Sequence, residues 1–223
     1  MGDSNYGPVR IVRQETNITS GIEVTQKLIH SLRVNNIKGR LEIKCITLDR
    51  GPFGIETTSD IKLVIPMIMQ TIEKNLSSFD AFVIACYSDP GLLECKKVFS
   101  KPIFGIHESA VKLSTRYGLN FGVIALSEDS IERHRLYINT LGLELHYVGE
   151  EALNISVNEA VSNKNTLNKI ILSGKKLIKN NHAEIIILGC AGMSAHRAAT
   201  EKQLRIKVVD PVQASIVMAT EAL

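Results

Sequence analysis

Short apolar runs alternate along this chain with longer stretches in which apolar residues recur every three or four positions. The short runs are typical of strands, and the longer stretches have the period of amphipathic helices. Residues 41–47 alternate apolar with charged side chains, which predicts a strand with one buried face. Strands that alternate with helices predict parallel sheets built from right-handed βαβ units, and therefore an α/β fold.

The same pattern places the individual elements. Strands are predicted at residues 9–12, 41–47, 79–86, 102–106, 121–125, 143–148, 182–190 and 206–210. Helices are predicted at residues 21–34, 60–76, 107–117, 127–141 and 212–223, after the 79–86 strand to about residue 99, around an apolar stripe at 167–178, and between the last two strands. Gly174 lies on that stripe, where the absence of a side chain would permit close packing.

Two of the predicted strands end in the same way. Residues 79–86 and 182–190 each run from a polar lead-in through apolar residues to a cysteine, and turn residues follow at once. The cysteines, Cys86 and Cys190, are 104 positions apart, close to half of the 223 residues. This repeat predicts two pseudo-symmetric, Rossmann-like halves.

We assign residues 1–106 together with 211–223 to the first α/β subdomain, and residues 107–210 to the second. Ligands of open α/β sheets bind beyond the carboxyl ends of the strands. If the halves face each other, the two thiols lie on opposite sides of one cleft, which is the predicted active site.

The residues after each cysteine favour thiol chemistry. The segment Ser88 to Pro90 predicts a helix start directly after Cys86, with Ser or Asp as the N-cap and proline in the first turn. Free amides and the positive end of the helix dipole favour a thiolate there. The segment Ala191 to Ser194 predicts the same environment for Cys190, and these amides could also hold an enolate oxygen. The alternative is that each cysteine is a buried apolar residue at a strand end.

Composition limits the other classes of function. The formal charge of +3 is too small and too dispersed to predict nucleic-acid binding. The first residues lack the basic and apolar regions of a signal peptide, and no apolar stretch approaches the length of a membrane span, so a cytoplasmic location is expected. The four cysteines and six histidines show no zinc-binding spacing, and no metal is expected.

Both cysteine segments carry a resemblance to a known family. The segment Ala85 to Leu92, which reads ACYSDPGL, resembles the A-C-[FY]-x-D-P-G-L element of the hydantoin and allantoin racemases, a branch of the Asp/Glu racemase superfamily. The segment Leu188 to Met193, LGCAGM, is similar to their L-G-C-A-G-M element. Weaker matches at residues 51–56, 102–110 and 208–210 occur in the same order along the chain.

The resemblance implies a cofactor-independent racemase or epimerase of a small carbon acid, most simply a 5-substituted hydantoin or allantoin. A thiolate on one face of the substrate would remove a proton, and the thiol opposite would return one. Cys86 and Cys190 match these two bases. The family likeness also implies a small-molecule substrate as the partner, and a homo-oligomer. Residues that match substrate-contacting positions are Thr16, Tyr87, Ser88, Glu108, Ala191 and Gly192.

The chain departs from the family pattern around the ligand. Residues 13–16 replace the usual N-P-N-T element, and only Thr16 matches. Arg13 introduces a guanidinium there that could bind a carboxylate bidentately, or it could be an ordinary surface arginine. The usual T-T pair after the first strand of the second half is replaced by residues 125–126, Ala and Leu. His107 stands where a small residue is more usual, and either caps the following helix or lines the cleft.

Other functions remain open at this stage. An aspartate or glutamate racemase, or a maleate isomerase-like enzyme, would use the same fold on a carboxylate. An arylmalonate decarboxylase is disfavoured, because it resembles a one-cysteine arrangement. A metabolite-binding paralogue without turnover would need neither thiol, and a redox pair would require the two cysteines to lie within about 7 Å between their Cα atoms.

Overall fold

The computed structural model describes residues 9–15, 41–48, 50–52, 54–118 and 120–223, with the backbone alone described at 9–15, 41 and 42. Within these ranges the strands are β1 Val9–Glu15, β2 Leu41–Thr47, β3 Ala81–Ile84, β4 Ile103–Gly105, β5 Phe121–Ala125, β6 Tyr147–Ala152, β7 Ile185–Leu188 and β8 Lys207–Val209. The helices are α1 Thr58–Asn75, α2 Leu92–Val98, α3 Ile106–Thr115, α4 Glu128–Thr140, α5 Val157–Ser162, α6 Thr166–Asn181, α7 Arg197–Leu204 and α8 Pro211–Glu221. Two 3-10 helices span Glu144–His146 and Ala191–His196.

The strands form two parallel sheets with the same internal order. The first sheet runs β2-β1-β3-β4, and the second runs β6-β5-β7-β8. Every strand pair is parallel. β3 and β7, which precede Cys86 and Cys190, therefore occupy equivalent internal positions in their sheets. This repeat confirms the predicted α/β fold of two pseudo-symmetric, Rossmann-like halves.

Local sequence explains where several helices begin. Thr57 caps α1, because its hydroxyl accepts the Asp60 amide at 3.1 Å while the Asp60 carboxylate accepts the Thr57 amide at 2.8 Å. Ser156 and Glu159 form the same reciprocal capping box at α5. Each box satisfies amides that the first turn of a helix leaves without intrahelical partners.

The sequence prediction is wrong in one strand. Residues 143–148 are predicted as a strand, but Glu144–His146 forms a 3-10 helix, and β6 runs from Tyr147 to Ala152. Leu145, in the middle of the predicted strand, is 88% exposed. The buried carboxylate of Glu150 is tolerated inside β6 because His134 of α4 pairs with it at 2.9 Å. Tertiary pairing of this kind leaves no periodic signal in the sequence.

The largest apolar cluster spans both sheets. It joins residues of β3, β5 and β7 to residues of α3 and α8, whereas two further clusters each belong to one sheet and its outer helices. α8 packs on α3 and on β3 and β4 of the first sheet. Because nearly all of α3 lies within residues 107–210, α8 contacts both of the assigned subdomains, and the subdomain boundaries remain a prediction.

Gly174 explains the close approach of two helices in the second half. A Cβ at this position would lie 2.4 Å from Leu204 of α7, so the glycine on the apolar stripe of α6 admits that leucine. The predicted helix at residues 21–34 lies outside the described residues. Among the helices that the structure describes, none has both the length and the apolar character that a membrane span needs.

Candidate active site

Cys86 lies in a tight turn at the carboxyl end of β3. The Asp89 amide donates to the Cys86 carbonyl at 2.9 Å, which closes the turn. The amide and the hydroxyl of Ser88 both hydrogen-bond the Cys86 sulfur. The residue as a whole is half-buried, and the turn holds its sulfur in place.

Cys190 lies in an equivalent turn, one residue beyond Gly189 at the end of β7. Its sulfur accepts the Gly192 amide at 3.3 Å, and the side chain is also half-buried. Gly189 is required by packing, because a Cβ there would lie 2.7 Å from the Ile124 carbonyl oxygen. In both turns the sulfur therefore accepts the amide two residues further along the chain.

The two thiols are in electrostatic reach of each other. A negative charge on Cys190 contributes to raising the pKa of Cys86. Each cysteine follows the carboxyl end of an equivalent strand, as predicted. A charge on one thiol therefore opposes a charge on the other, and the catalytic role of the two cysteines remains a prediction.

The electrostatic environment of Cys86 differs from the expectation that its thiolate is favoured. Burial raises the pKa of the Cys86 thiol to about 12, although the hydrogen bonds from Ser88 oppose the rise. The predicted helix start is also wrong, because α2 begins at Leu92 with Gly91 as its N-cap. The helix dipole consequently acts from further away, and Cys86 is held as a thiol.

We expect Cys86 to be slow toward alkylation at mild alkaline pH. Each unit by which its pKa exceeds that of an ordinary thiol lowers the thiolate fraction about tenfold, and only the thiolate reacts. The rate of iodoacetamide labelling at the Cys86 peptide, followed by mass spectrometry in the ligand-free protein, should be at least about a hundredfold below that of free cysteine at pH 8. Labelling as fast as free cysteine would contradict this assignment.

Asp89 holds the Cys86 turn against α3. Its carboxylate accepts the His107 amide at 3.0 Å and the Glu108 amide at 2.8 Å, in the first turn of that helix. Burial raises the pKa of Asp89 to about 7, while these two amides oppose the rise. Asp89 therefore caps α3, and the interpretation of His107 as the cap of this helix is wrong.

The second cysteine turn is attached to its neighbouring helix in a related way. The Ser194 hydroxyl donates to the Asp210 carboxylate at 2.9 Å, and the same carboxylate oxygen accepts the Val212 amide at the start of α8. In each half, one buried carboxylate thus joins the cysteine turn to the helix after the adjacent strand. The carboxylate belongs to the turn in the first half and to the helix cap in the second.

Tyr87, a predicted substrate contact, is largely enclosed. Its side chain is 4% exposed, and its ring stacks on His107 with 4.1 Å between centroids. Its hydroxyl has no hydrogen-bond partner among the described residues. The structure therefore places the Tyr87 ring in a buried cluster, and contact with substrate remains a prediction.

The substitution Tyr87→Phe distinguishes packing from substrate contact. Removing a buried hydroxyl that has no partner costs little stability. If Tyr87 serves packing alone, its hydroxyl does not touch substrate, so we expect KM for the racemisation substrate to stay within about twofold of the unsubstituted enzyme. Steady-state polarimetry measures this directly. A rise in KM at constant kcat would show that the hydroxyl binds substrate.

The other predicted substrate contacts lie in several places. Ser88 and Gly192 bond the two sulfurs, as described above, and Ala191 is buried beside Cys190. The Glu108 carboxylate is paired with Lys96 and Lys112 at 2.5 Å each. The side chain of Arg13 and the whole of Thr16 lie outside the described residues. Their contacts with substrate remain predictions.

Sequence reasoning missed the helix α5 that covers the Cys190 turn. A Cβ on Gly192 would lie 3.1 Å from Val161 of this helix. The α5 amino terminus is bound by the first half, because the Glu56 carboxylate accepts the Val157 amide at 3.1 Å. The capping-box spacing of Ser156 and Glu159 is the signal that could have found this helix.

No cluster of three or more His, Cys, Asp or Glu side chains in the described part of the chain has the arrangement of a metal site. The expected independence of metals and cofactors remains a prediction. Beside the two thiols, the described contacts include the Ser88 amide and hydroxyl at Cys86 and the Gly192 amide at Cys190.

Comparison with known proteins identifies the family. The profile described as "Asp/Glu/Hydantoin racemase" matches residues 16–219. A hydantoin racemase of Pseudomonas sp. strain NS671 is 28% identical over 95% of this chain and 84% of its own length. A hydantoin racemase of Rhizobium meliloti is 30% identical over 77% of this chain and 72% of its own length.

A solved structure shows the same fold. The allantoin racemase of Klebsiella pneumoniae superposes with a TM-score of 0.87 at 24% identity, over 96% of this chain and 86% of that one. The profile and the two hydantoin racemase relatives define the class of enzyme, an isomerase that acts as a racemase. The chain belongs to the Asp/Glu/hydantoin racemase family.

Proposed function

We propose that this enzyme racemises 5-substituted hydantoins or allantoin by proton transfer between two cysteines. The observation that carries the proposal is the pair of equivalent turns, in which Cys86 and Cys190 each bind the amide two residues ahead and influence each other's charge. The names of the two relatives above, both hydantoin racemases, support the substrate class.

The proposed reaction moves one proton at each face of the substrate. The thiolate of one cysteine takes the proton from the carbon next to the carbonyl, which forms an S–H bond and leaves an enolate. The thiol of the other cysteine gives its proton to the opposite face of that carbon and becomes the thiolate. No electron is transferred, and the product is the mirror image of the substrate. Racemisation of the opposite enantiomer exchanges the two roles.

The raised pKa of Cys86 fits its role as the acid in one direction. The raised pKa keeps the Cys86 thiol protonated at neutral pH. The thiol can nevertheless give that proton to a carbanion beside it, which is a much stronger base. Because a charge on Cys190 adds to the rise, the enzyme favours one thiolate at a time. One thiol and one thiolate are the charge state that each turnover needs.

Backbone amides can stabilise the enolate. The 3-10 helix Ala191–His196 begins directly after Cys190, and its Gly192 amide points at the reacting sulfur, to which it donates at 3.3 Å. Preorganised donors aimed at a developing oxyanion lower the barrier, because they need no reorganisation as charge appears. This contribution comes from the chain itself, without a bound group.

A substrate panel tests the proposed function. Single enantiomers of allantoin, 5-alkyl hydantoins, aspartate and glutamate are incubated with the enzyme while optical rotation is followed, with enzyme-free samples to correct for spontaneous racemisation. We expect loss of rotation with a hydantoin or with allantoin. Activity on aspartate or glutamate alone would overturn the substrate class and favour a carboxylate bound by Arg13. No activity on any compound would overturn the proposal.

The assembly and location of the enzyme remain predictions. The family likeness predicts a homo-oligomer, which sedimentation analysis would measure. The cytoplasmic location rests on the sequence arguments given above.

A further inference from the structure

A buried cluster of rings joins the Cys86 turn to the second half of the molecule. The ring of His107, in α3, stacks on Tyr87, and its centroid lies 5.1 Å from that of His134 and 5.0 Å from that of Tyr137. His134 and Tyr137 both belong to α4. The four rings therefore form one continuous contact between the residue after Cys86 and a helix of the other sheet.

The cluster is fixed at its far end by a buried ionisable pair. His134 Nδ1 lies 2.9 Å from Glu150 Oε2, and the side chains are 5% and 0% exposed. Burial raises the pKa of Glu150, and the His134 contact opposes the rise. Breaking a buried pair of this kind is costly because it leaves an unpaired polar group. His134 is consequently a rigid support for the rings that pack on it.

Two hydrogen bonds carry this support to the turn itself. A ring nitrogen of His107 hydrogen-bonds the backbone carbonyl of Tyr87, and Nε2 has no partner among the described residues, so Nδ1 is the donor. The Tyr137 hydroxyl hydrogen-bonds the Asp89 carboxylate. The turn from Cys86 to Asp89 is thus held at its second residue by His107 and at its fourth by Tyr137.

The protonation state of His107 suits this arrangement. Burial and the neighbouring His134 hold the pKa of His107 well below its usual range. A neutral imidazole has one N–H, and here that N–H is used on the Tyr87 carbonyl. The other titratable groups that act on the cluster include Asp89, Glu108, Glu150 and Tyr147.

We propose that His107 and Tyr137 are positioning residues for the Cys86 thiol, which they act on through the Tyr87 carbonyl and the Asp89 carboxylate. The sulfur itself is hydrogen-bonded by Ser88. The effect of His107 and Tyr137 is to hold the turn, and with it the buried position and direction of the Cys86 sulfur, relative to Cys190. The catalytic consequence rests on the proposed function, whereas the effect on the thiol does not.

Two substitutions at His107 separate the hydrogen bond from the packing. His107→Phe keeps a stacking ring and removes the N–H donor, whereas His107→Asn places an amide N–H close to the position of Nδ1. Tyr137→Phe removes only the hydroxyl that binds Asp89, and it is the variant least prone to misfold. Ser194→Ala is the matched control, because it removes a hydroxyl that holds the Cys190 turn to Asp210.

The first readout is the alkylation of each cysteine in the same ligand-free sample, measured by peptide mass spectrometry. We expect His107→Phe and Tyr137→Phe to raise the Cys86 labelling rate about tenfold, which corresponds to about one unit of pKa, while Cys190 changes less than about twofold. His107→Asn should restore the slow rate, and Ser194→Ala should leave Cys86 unchanged. This readout needs no substrate, so it stands even if the proposed reaction fails.

The second readout is the split between kcat and KM on the best substrate of the panel. Misplacement of a reacting group by about 1 Å can lower the rate about a hundredfold, so we expect kcat to fall by about ten- to a hundredfold with KM nearly constant. Labelling that rises equally at both cysteines, or at neither, would overturn the proposal. So would His107→Asn behaving like His107→Phe.

Discussion

Replacing either Cys86 or Cys190 with serine is expected to lower kcat for racemisation by about 10³-fold. Proton transfer by a positioned acid or base contributes about 10²- to 10⁴-fold to catalysis, and a serine hydroxyl holds its proton far more tightly than a thiol. Both substitutions replace the sulfur with an oxygen. They keep the turn geometry, since the hydroxyl oxygen can accept a hydrogen bond from the same backbone amide. The loss should therefore appear in kcat and leave folding intact.

The two variants should also differ from each other in a way that a structural defect would not produce. In D₂O, the remaining cysteine can still exchange the substrate proton at its own face and return deuterium with retention of configuration. Cys86→Ser is expected to exchange one enantiomer and Cys190→Ser the other, which NMR of the reacting C–H would show. Exchange of the same enantiomer by both variants would contradict opposite faces.

Cys95 supplies the control for these substitutions. It is fully buried in α2 and packs among the apolar residues of the first sheet and its helices. Cys95→Ala removes a thiol and leaves both proposed bases in place, so kcat should stay within about threefold of the unsubstituted enzyme. If either active-site variant retained activity at this level, the two-thiol mechanism would be wrong.

The second large effect is expected from Gly105→Ala. Gly105 has an extended backbone, with φ of −92° and ψ of 146°, which any residue can adopt. The reason for glycine is the Asp89 carboxylate, because a Cβ on residue 105 would lie 2.2 Å from its Cγ. An added methyl group must therefore displace Asp89 from the amides of His107 and Glu108.

We expect Gly105→Ala to lower the free energy of unfolding by about 3 kcal/mol, as overpacking and unsatisfied buried amides do. The turn that carries Cys86 should shift at the same time, so kcat should fall by about a hundredfold. Urea unfolding and steady-state kinetics measure the two effects. A variant that is as stable and as active as the unsubstituted enzyme would contradict the capping role of Asp89.

Gly118 is a control that distinguishes the steric clash at Gly105 from the backbone strain that a glycine-to-alanine substitution can cause. Gly118 has φ of +68°, and nothing lies within 4 Å of its Cβ position. Gly118→Ala should cost about 1 to 2 kcal/mol through its left-handed backbone and leave kcat unchanged. A double variant with Asp89→Ala and Gly105→Ala should be more stable than the sum of the single effects predicts, because the clash is removed.

The sequence predicts much of the architecture because the relevant signals are local. β2 and β5 have the predicted bounds, 41–47 and 121–125, since apolar residues mark their length and turns follow. The two cysteine segments repeat closely enough to predict equivalent strand ends, which the equal sheet orders confirm. The family assignment also follows from these two segments, as the profile match confirms.

The parts that sequence could not predict depend on contacts between distant residues. Asp89 follows a serine and precedes a proline, so it resembles a local helix cap, but its partners are amides 18 and 19 positions away. The raised pKa of Cys86 comes mainly from burial, which only the packed structure defines. Likewise, Glu150 inside β6 is intelligible only once His134 is placed beside it.

The central claim is that two thiols on opposite faces transfer different protons, and the most direct test follows deuterium through the first turnovers. The unsubstituted enzyme is incubated in D₂O with one enantiomer of a 5-alkyl hydantoin, and substrate and product are separated at low conversion on a chiral column. The account predicts that the inverted product carries deuterium at C5 while the remaining substrate keeps its protium, and that the result is the same from the other enantiomer. Product that keeps the original proton would show that a single base serves both faces and would contradict the account.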